Sequence, residues 1–218
     1  MSDKTAIVIG STGLVGGHLI ELLCESNQFS RIVSLSRRPI DRSYTKLESY
    51  IVDFDNLSDY ANLFSGDALF SCLGTTRKQA GSISAQREVD LVYQYQAALL
   101  AKAQGVSHYL LVSSSGANSS SLSPYFRMKG ELEDKVTSLS FDATTILQPS
   151  LLLGERRDRR LGESVASYLL PLITKLPGLS KFRPIEGLDV ARKLLQCSDD
   201  PKVMRQLRLR DVFPDTSL

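Results

Sequence analysis

One stretch near the start of the chain limits what it can fold into more than any other: Gly10-Ser11-Thr12-Gly13-Leu14-Val15-Gly16. Before it runs Ala6 to Gly10 (AIVIG), a short, β-branched, uninterrupted segment of the kind buried on both faces of a parallel sheet. After it, Leu14 to Ser26 has helical spacing, with Leu14, His18, Leu19, Leu22 and Leu23 able to share a face. In such a turn Gly10 permits the sharp bend, Gly13 lets the backbone approach a pyrophosphate, and Gly16 allows the helix to lie against the strand. The helix N-terminus then offers unpaired N–H groups and the positive end of its dipole to phosphates. A turn required only for packing could also be rich in glycine, but its place in the first strand-to-helix connection favours binding. The loop lacks the Gly-Lys-Ser/Thr ending of a P-loop, which disfavours nucleotide hydrolysis. The reading is a dinucleotide site lined by all seven residues from Gly10 to Gly16.

The alternation continues along the chain. Arg31–Ser36, Tyr50–Phe54, Ala68–Leu73, Tyr109–Ser113 and Ala143–Leu147 read as further strands. Between them, 84–104 reads as one long helix ended by Gly105, and Ser123-Pro124 opens another that reaches about Leu139. Strands alternating with helices imply an α/β fold, a doubly wound parallel sheet. After Gln148-Pro149 the character changes: Glu155 to Arg160 (ERRDRR) is dense in charge, and Pro171, Pro177 and Pro184 break up the stretch beyond it. Leu188–Cys197 reads as a last short helix. The expectation is one domain over 1–218, with a cofactor-binding core at 1–149 and a small C-terminal substrate lobe at 150–218.

The residue at the end of the second strand decides which dinucleotide is preferred. An acidic group there would bond a ribose 2′-hydroxyl, but this chain has Ser36-Arg37-Arg38. A guanidinium suits a phosphate dianion by charge and by its forked donors, so NADP(H) is expected over NAD(H), with Arg37 the main contact and Arg38 assisting. Farther along, Tyr125 and Lys129 stand four apart on one helix and so share a face. A phenol, with an ordinary pKa of about 10, needs a neighbouring cation to exchange protons near neutrality, and Lys129 can supply it. Just upstream, Ser113-Ser114-Ser115 closes the fifth strand at the sheet's carboxyl edge, where a hydroxyl can hold a substrate oxygen. Ser114 is favoured for that role, with Ser115 next.

With these residues in view the chain resembles the short-chain dehydrogenase/reductases, in their atypical, extended-like branch, and within it the group around the oxidoreductase-like Tat-interacting protein. The resemblance rests on GSTGLVG, LSRRP, VDF at Val52–Phe54, CLGTT at Cys72–Thr76, LVSSSGA at Leu111–Ala117 and YFRMKGELE at Tyr125–Glu133, most firmly over residues 5 to 155. It implies a Rossmann fold and NADP(H) use. It further implies that Asp53 and Phe54 flank the adenine, that Leu73, Gly74 and Thr75 line the middle of the cofactor, and that backbone from Pro149 to Leu151 meets the nicotinamide. Many family members carry an asparagine in the long central helix that relays protons through the lysine; the comparable place here holds Asp90.

Composition narrows the remaining classes. Lys plus Arg number 26 against 24 Asp plus Glu, a net charge of +2, so no broad field exists to grip nucleic acid or an acidic membrane surface. Three dispersed cysteines and two histidines argue against a disulfide framework and against a metal centre. No run reaches the roughly 18 apolar residues that span a bilayer, and the N-terminus has no long apolar segment of the secretory type. A cytoplasmic location is the expectation. The leading function is an NADP(H)-dependent oxidoreductase acting on a small-molecule carbonyl or alcohol. Tyr125 would move the proton, Lys129 tune it and Ser114 orient the oxygen. The alternative is an NADP(H)-binding regulator or scaffold with a protein partner; a homodimer through the long central helix is a further expectation.

Overall fold

Runs of Val, Ile and Leu with no polar interruption can be satisfied only where both faces of a strand are covered, and here they form the middle of a seven-stranded sheet. The computed structural model describes residues 3–41, 43–153 and 183–215. Its strands are β1 (Thr5–Ile9), β2 (Arg31–Ser36), β3 (Leu47–Ile51), β4 (Ala68–Ser71), β5 (His108–Val112), β6 (Ala143–Gln148), β7 (Leu152–Leu153), β8 (Ile185–Glu186) and β9 (Arg205–Arg208). The main sheet has the order β3-β2-β1-β4-β5-β6-β9 with every neighbour parallel; β7 and β8 form a separate two-stranded ribbon. The helices are α1 (Leu14–Glu25), α2 (Arg77–Ala80), α3 (Ile83–Arg87), α4 (Tyr93–Ala103), α5 (Pro124–Ser138) and α6 (Gly187–Asp199), with a 3₁₀ stretch at Phe54–Phe64 and a π-helical turn at Glu88–Val92.

Alternate residues of the central strands feed two apolar layers. Ala6 and Val8 of β1 face α1 and α6, whose Leu19, Leu23, Val190 and Leu194 are all fully buried. Ile7 and Ile9 face the other way, onto Phe54 and Phe64 of the 3₁₀ stretch, Ala97 and Ala101 of α4, and Leu132 and Val136 of α5. Burial of each large aliphatic side chain contributes about 1.5–3 kcal/mol, so the two layers supply most of the drive to fold. This is the doubly wound Rossmann arrangement expected from the sequence.

Differences from the sequence reading are local and have physical causes. The third strand lies at Leu47–Ile51 rather than Tyr50–Phe54, because Asp53 caps the 3₁₀ stretch and so ends the extended chain. The long central helix is divided, with α3, the π turn and α4 running in succession. β9 has no counterpart in the sequence reading. With α6 it carries residues 183–215 of the expected C-terminal lobe into the sheet and the helix layer of the core. The charged run Glu155–Arg160 lies outside the described residues.

Candidate functional site

Because all strands of the main sheet are parallel, the ends of β1, β2, β4, β5 and β6 share one edge. The chain runs outward from β1 to β2 and β3, then returns to β4 on the other side of β1. That reversal opens a crevice at the carboxyl end of β1, where open α/β sheets hold their ligands.

The glycine loop sits in the crevice mouth with little freedom to be anything else. Gly10 has φ +82°, and a Cβ on it would lie 2.5 Å from the Cys72 carbonyl carbon. A Cβ on Gly16 would lie 2.2 Å from the Gly10 carbonyl oxygen, so α1 rests on the turn backbone to backbone. Gly13 is the N-cap of α1 and supplies no side chain to it; the first turn carries no acidic residue. The helix N-terminus therefore keeps its N–H groups and its positive dipole end for an anion, which fits a pyrophosphate. Ser11 is buried and accepts a hydrogen bond from Ser34 Oγ at 2.6 Å, pinning the loop to β2. Thr12 is exposed, Leu14 half-buried and Val15 turned into the core.

At the end of β2, Ser36 Oγ donates to the Arg38 carbonyl at 2.5 Å and shapes the turn on which Arg37 and Arg38 stand exposed. Asp53 accepts from the Asn56 side chain at 2.8 Å and the Asp55 N–H at 3.0 Å, and these bonds hold its carboxyl below the ordinary aspartate value. Phe54 is turned into the core with its ring 5.5 Å from that of Tyr93. After β4, Leu73 and Thr75 are half-buried and Gly74 exposed. Thr75 is held from both sides: its N–H donates to Asp90 Oδ2 at 3.1 Å, and its carbonyl accepts from Gln86 Nε2 at 3.1 Å.

α5 brings in the catalytic candidates. Its face toward the sheet edge carries Tyr125, Lys129 and Glu133 at successive steps of four. Lys129 is 3% exposed, and its Nζ lies 2.7 Å from Asp90 Oδ1. Burial works against the ammonium, but Asp90 and the neighbouring Tyr125 more than offset it and raise the lysine pKa above its ordinary value. Tyr125 is half-buried, its ring 5.4 Å from that of Phe126. Gly130 allows the serine loop to approach, since a Cβ there would lie 2.2 Å from the Ser119 nitrogen. Ser115 N–H donates to the Pro149 carbonyl at 2.9 Å, so the ends of β5 and β6 are tied together. Ser114 and Ser115 are both half-buried, while Ser113 is buried and donates to Glu133. Pro149 is buried and Leu151 exposed.

Sequence reasoning misses Glu133. It accepts from Ser113, from Gln148 Nε2 at 2.8 and 2.9 Å, and from Gln206 Nε2 at 3.2 Å, joining β5, β6 and β9. Burial raises its pKa, against the pull of Gln148 and Ser113. A signal for it exists: a carboxylate four residues beyond the lysine extends the Tyr125–Lys129 stripe. The two histidines take no part: His18 lies on α1, 3.6 Å from Glu21, and His108 is buried against Thr145. Among the described residues no cluster of His, Cys, Asp and Glu could hold a metal ion, and no helix is long and apolar enough to cross a membrane.

The comparisons with known proteins bear on the family and the fold. Residues 10–171 match a family model described as NAD(P)H-binding. Protein HTATIP2 of Rattus norvegicus is 39% identical, over 93% of this chain and 94% of that protein. Proteins named FMP52, mitochondrial, are 42% identical in Candida glabrata (74% of this chain, 70% of that protein) and 33% identical in Debaryomyces hansenii (90% and 88%). Among solved structures, MoeE5 in complex with UDP-glucose and NAD has a TM-score of 0.71 at 17% identity, covering 94% of this chain and 75% of that one. The UDP-N-acetylglucosamine 4-epimerase of Methanobrevibacter ruminantium scores 0.74 at 15% identity, covering 96% and 77%; at these identities the likeness is one of fold.

One expectation is overturned by these relatives. The cytoplasmic location does not stand beside proteins of this similarity that are named mitochondrial. Mitochondrial targeting segments are amphipathic and arginine-rich, so a search for long apolar runs does not register them. Fold, glycine loop, extent of match and the identity to HTATIP2 and the FMP52 proteins lead to one conclusion: the chain belongs to the NAD(P)H-binding family of Rossmann-fold, oxidoreductase-like proteins.

Proposed function

We propose that this protein is an NADP(H)-dependent oxidoreductase of the short-chain dehydrogenase/reductase type, acting on a carbonyl or the corresponding alcohol. The observation that carries the proposal is the buried ammonium of Lys129, held by Asp90 one helical turn from Tyr125 at the carboxyl edge of the sheet. Burying a lysine is costly, and a buried ammonium with a specific charge partner in a crevice marks a candidate functional site. The dinucleotide, when bound, supplies or accepts hydride. The residues to hold it are Gly10–Gly16 and the α1 N-terminus for the pyrophosphate, Asp53 and the Phe54 backbone toward the adenine, Leu73–Thr75 along the middle, and Pro149–Leu151 at the nicotinamide end. Ser114 Oγ orients the substrate oxygen, and Tyr125 Oη gives or takes its proton. Lys129 keeps a positive charge beside that phenol and reaches the nicotinamide ribose.

Preference for NADP(H) over NAD(H) is supported by two exposed arginines, and no acid, directly after β2. The same compartment as the FMP52 proteins, the mitochondrion, is the location we infer. The residues beside the nicotinamide would select the substrate.

The test is turnover of NADPH over a panel of aldehydes and ketones. Tyr125→Phe is expected to lower kcat by about 10²–10⁴-fold on any substrate the native protein reduces, with NADPH still bound. Unchanged turnover in Tyr125→Phe overturns the catalytic roles. NADPH binding with no turnover across the panel favours a dinucleotide-binding regulator instead.

A further inference from the structure

Directly after β2 the chain has arginines and no acid, but acids stand one strand over. The Val52 N–H donates to the Ser36 carbonyl at 3.0 Å, so Arg37 and Asp53 leave neighbouring strands side by side, about 5 Å apart. Asp53 is engaged in its own turn: Oδ1 accepts the Asp55 N–H at 3.0 Å and Oδ2 the Asn56 side chain at 2.8 Å. That turn sends Phe54 into the core and leaves Asp55 exposed. Tyr93, the first residue of α4, lies against the Phe54 ring, and its hydroxyl donates to Asp55 Oδ1. The bond to Asp55 pushes the Tyr93 phenol up to about 12, helped by burial and by the charges of Asp55 and Glu88, while Arg37 pulls it the other way. The phenol therefore stays a donor across the physiological range, and Arg37 is near enough to act on it.

We propose that Asp55, held in place by Tyr93, is a specificity-determining residue that limits how strongly Arg37 favours a 2′-phosphorylated dinucleotide. This rests on the proposed NADP(H)-dependent function and concerns the choice between the two cofactors. A 2′-phosphate drawn to Arg37 comes as a dianion into the field of the Asp55 carboxylate, where like charges oppose each other. NADH carries a 2′-hydroxyl instead, which a carboxylate does not repel and can accept from. The acid thus acts against one cofactor and not the other. Tyr93 decides where that charge sits. Its hydrogen bond keeps Asp55 turned toward α4. Without that bond the carboxylate is free to swing onto the Arg37 guanidinium and neutralise the arginine's attraction for phosphate.

The experiment is calorimetric titration of the full chain with NADPH and with NADH, at low and at high salt, for wild type, Asp55→Asn, Asp55→Ser and Tyr93→Phe. Asp55 gives only its backbone N–H to the turn on Asp53 and its side chain is exposed, so both uncharged variants keep that turn. Both are expected to tighten NADPH binding by roughly three- to tenfold at low salt and to leave NADH unchanged or weaker, the gain shrinking as salt screens the charges. Tyr93→Phe is expected to move the other way, weakening NADPH by a similar factor with NADH little changed. Adding Asp55→Asn to Tyr93→Phe should cancel that loss, which a merely structural tyrosine would not allow. Wild type that binds NADPH, with both uncharged variants keeping the wild-type ratio of the two affinities, overturns this inference alone. Wild type that binds neither dinucleotide overturns the proposed function and this inference together.

Discussion

Gly16 and Gly17 are adjacent in the same helix, and alanine at each is expected to have opposite effects. At Gly16 a Cβ would lie 2.2 Å from the Gly10 carbonyl oxygen, 2.8 Å from its carbon and 3.0 Å from Ser11 Cα. All three atoms are backbone, so no side chain can rotate away, and the helix must part from the turn by roughly 1 Å. Overpacking of this kind costs about 1–3 kcal/mol where side chains can yield, and this site belongs at the upper end or beyond. At Gly17 the nearest atom to a Cβ is the Ser11 carbonyl oxygen at 3.7 Å, an ordinary contact. There the substitution only removes the entropy that glycine loses in a helix, a gain of about 0.5–1 kcal/mol. For a domain of this size 1 kcal/mol moves Tm by about 2–4 °C. Thermal unfolding followed by circular dichroism should therefore show Gly16→Ala lower than wild type by roughly 6–12 °C and Gly17→Ala higher by about 1–4 °C. NADPH binding should fall with the first and survive the second. A Gly16→Ala protein as stable as wild type, or a Gly17→Ala protein destabilised to the same degree, would refute the claim that α1 and the turn meet backbone to backbone.

Arg37→Ala should weaken NADPH binding by roughly 10–100-fold, the worth of a charge-assisted contact to phosphate, and leave NADH binding nearly unchanged; equal losses in two titrations would remove Arg37 from the 2′-phosphate site. His108 is held near pKa 4, first by burial and then by Arg205. Its folded pKa lies below the unfolded value of about 6.5, so the unfolded chain takes up the proton first and stability falls as pH drops from about 6.5 to 4. Urea titrations across that window should lose less stability in His108→Gln than in wild type, and parallel curves would exclude the histidine. Lys129→Met should cost about 3–5 kcal/mol by leaving Asp90 buried and unpaired, and adding Asp90→Leu should restore much of it; a double variant no more stable than the single one would mean the pair is not the source. Glu133→Ala, by stripping the acceptor from Ser113, Gln148 and Gln206, should destabilise by at least about 2 kcal/mol in the same measurement, and a change within error would show those donors to be satisfied elsewhere.

How much the sequence makes legible depends on how unambiguous each local signal is. The glycine loop is readable from its spacing, and the strands β1, β2, β4, β5 and β6 because a buried parallel strand leaves a short run rich in apolar and β-branched residues. β3 is harder to place because it is an edge strand with no fully buried residue: Leu47, Glu48 and Tyr50 are half-buried, Ser49 and Ile51 exposed, so Phe54 draws the reading beyond its true end. β9, Arg-Gln-Leu-Arg, escapes notice because the opposite edge strand has only one apolar residue and reads as a polar loop. Tyr125 and Lys129 can be paired from spacing alone, being on one helix. The π turn cannot, since an extra residue in a helix leaves no mark in composition. Asp90 stands out only by family resemblance, because its contact with Lys129 joins segments that a single sequence cannot place side by side.

The manner in which α6 closes over α1 sets the order in which the site can be completed during synthesis. The glycine loop is made well before α6, yet Leu14, the first residue of its helix, packs under Gly187, where a Cβ would come within 2.6 Å of Leu14 Cγ. At roughly 5–20 residues per second, about 10–35 s of translation separate the two. For that interval Leu19 and Leu23 lack the cover that Val190 and Leu194 will give them, and β6 waits as an open edge for Arg205–Arg208. The nascent protein thus holds the most sequence-encoded part of its cofactor site while it is still a client for chaperones. A chain stopped before Gly187 would keep every glycine of the loop and lose the layer that holds the loop in shape.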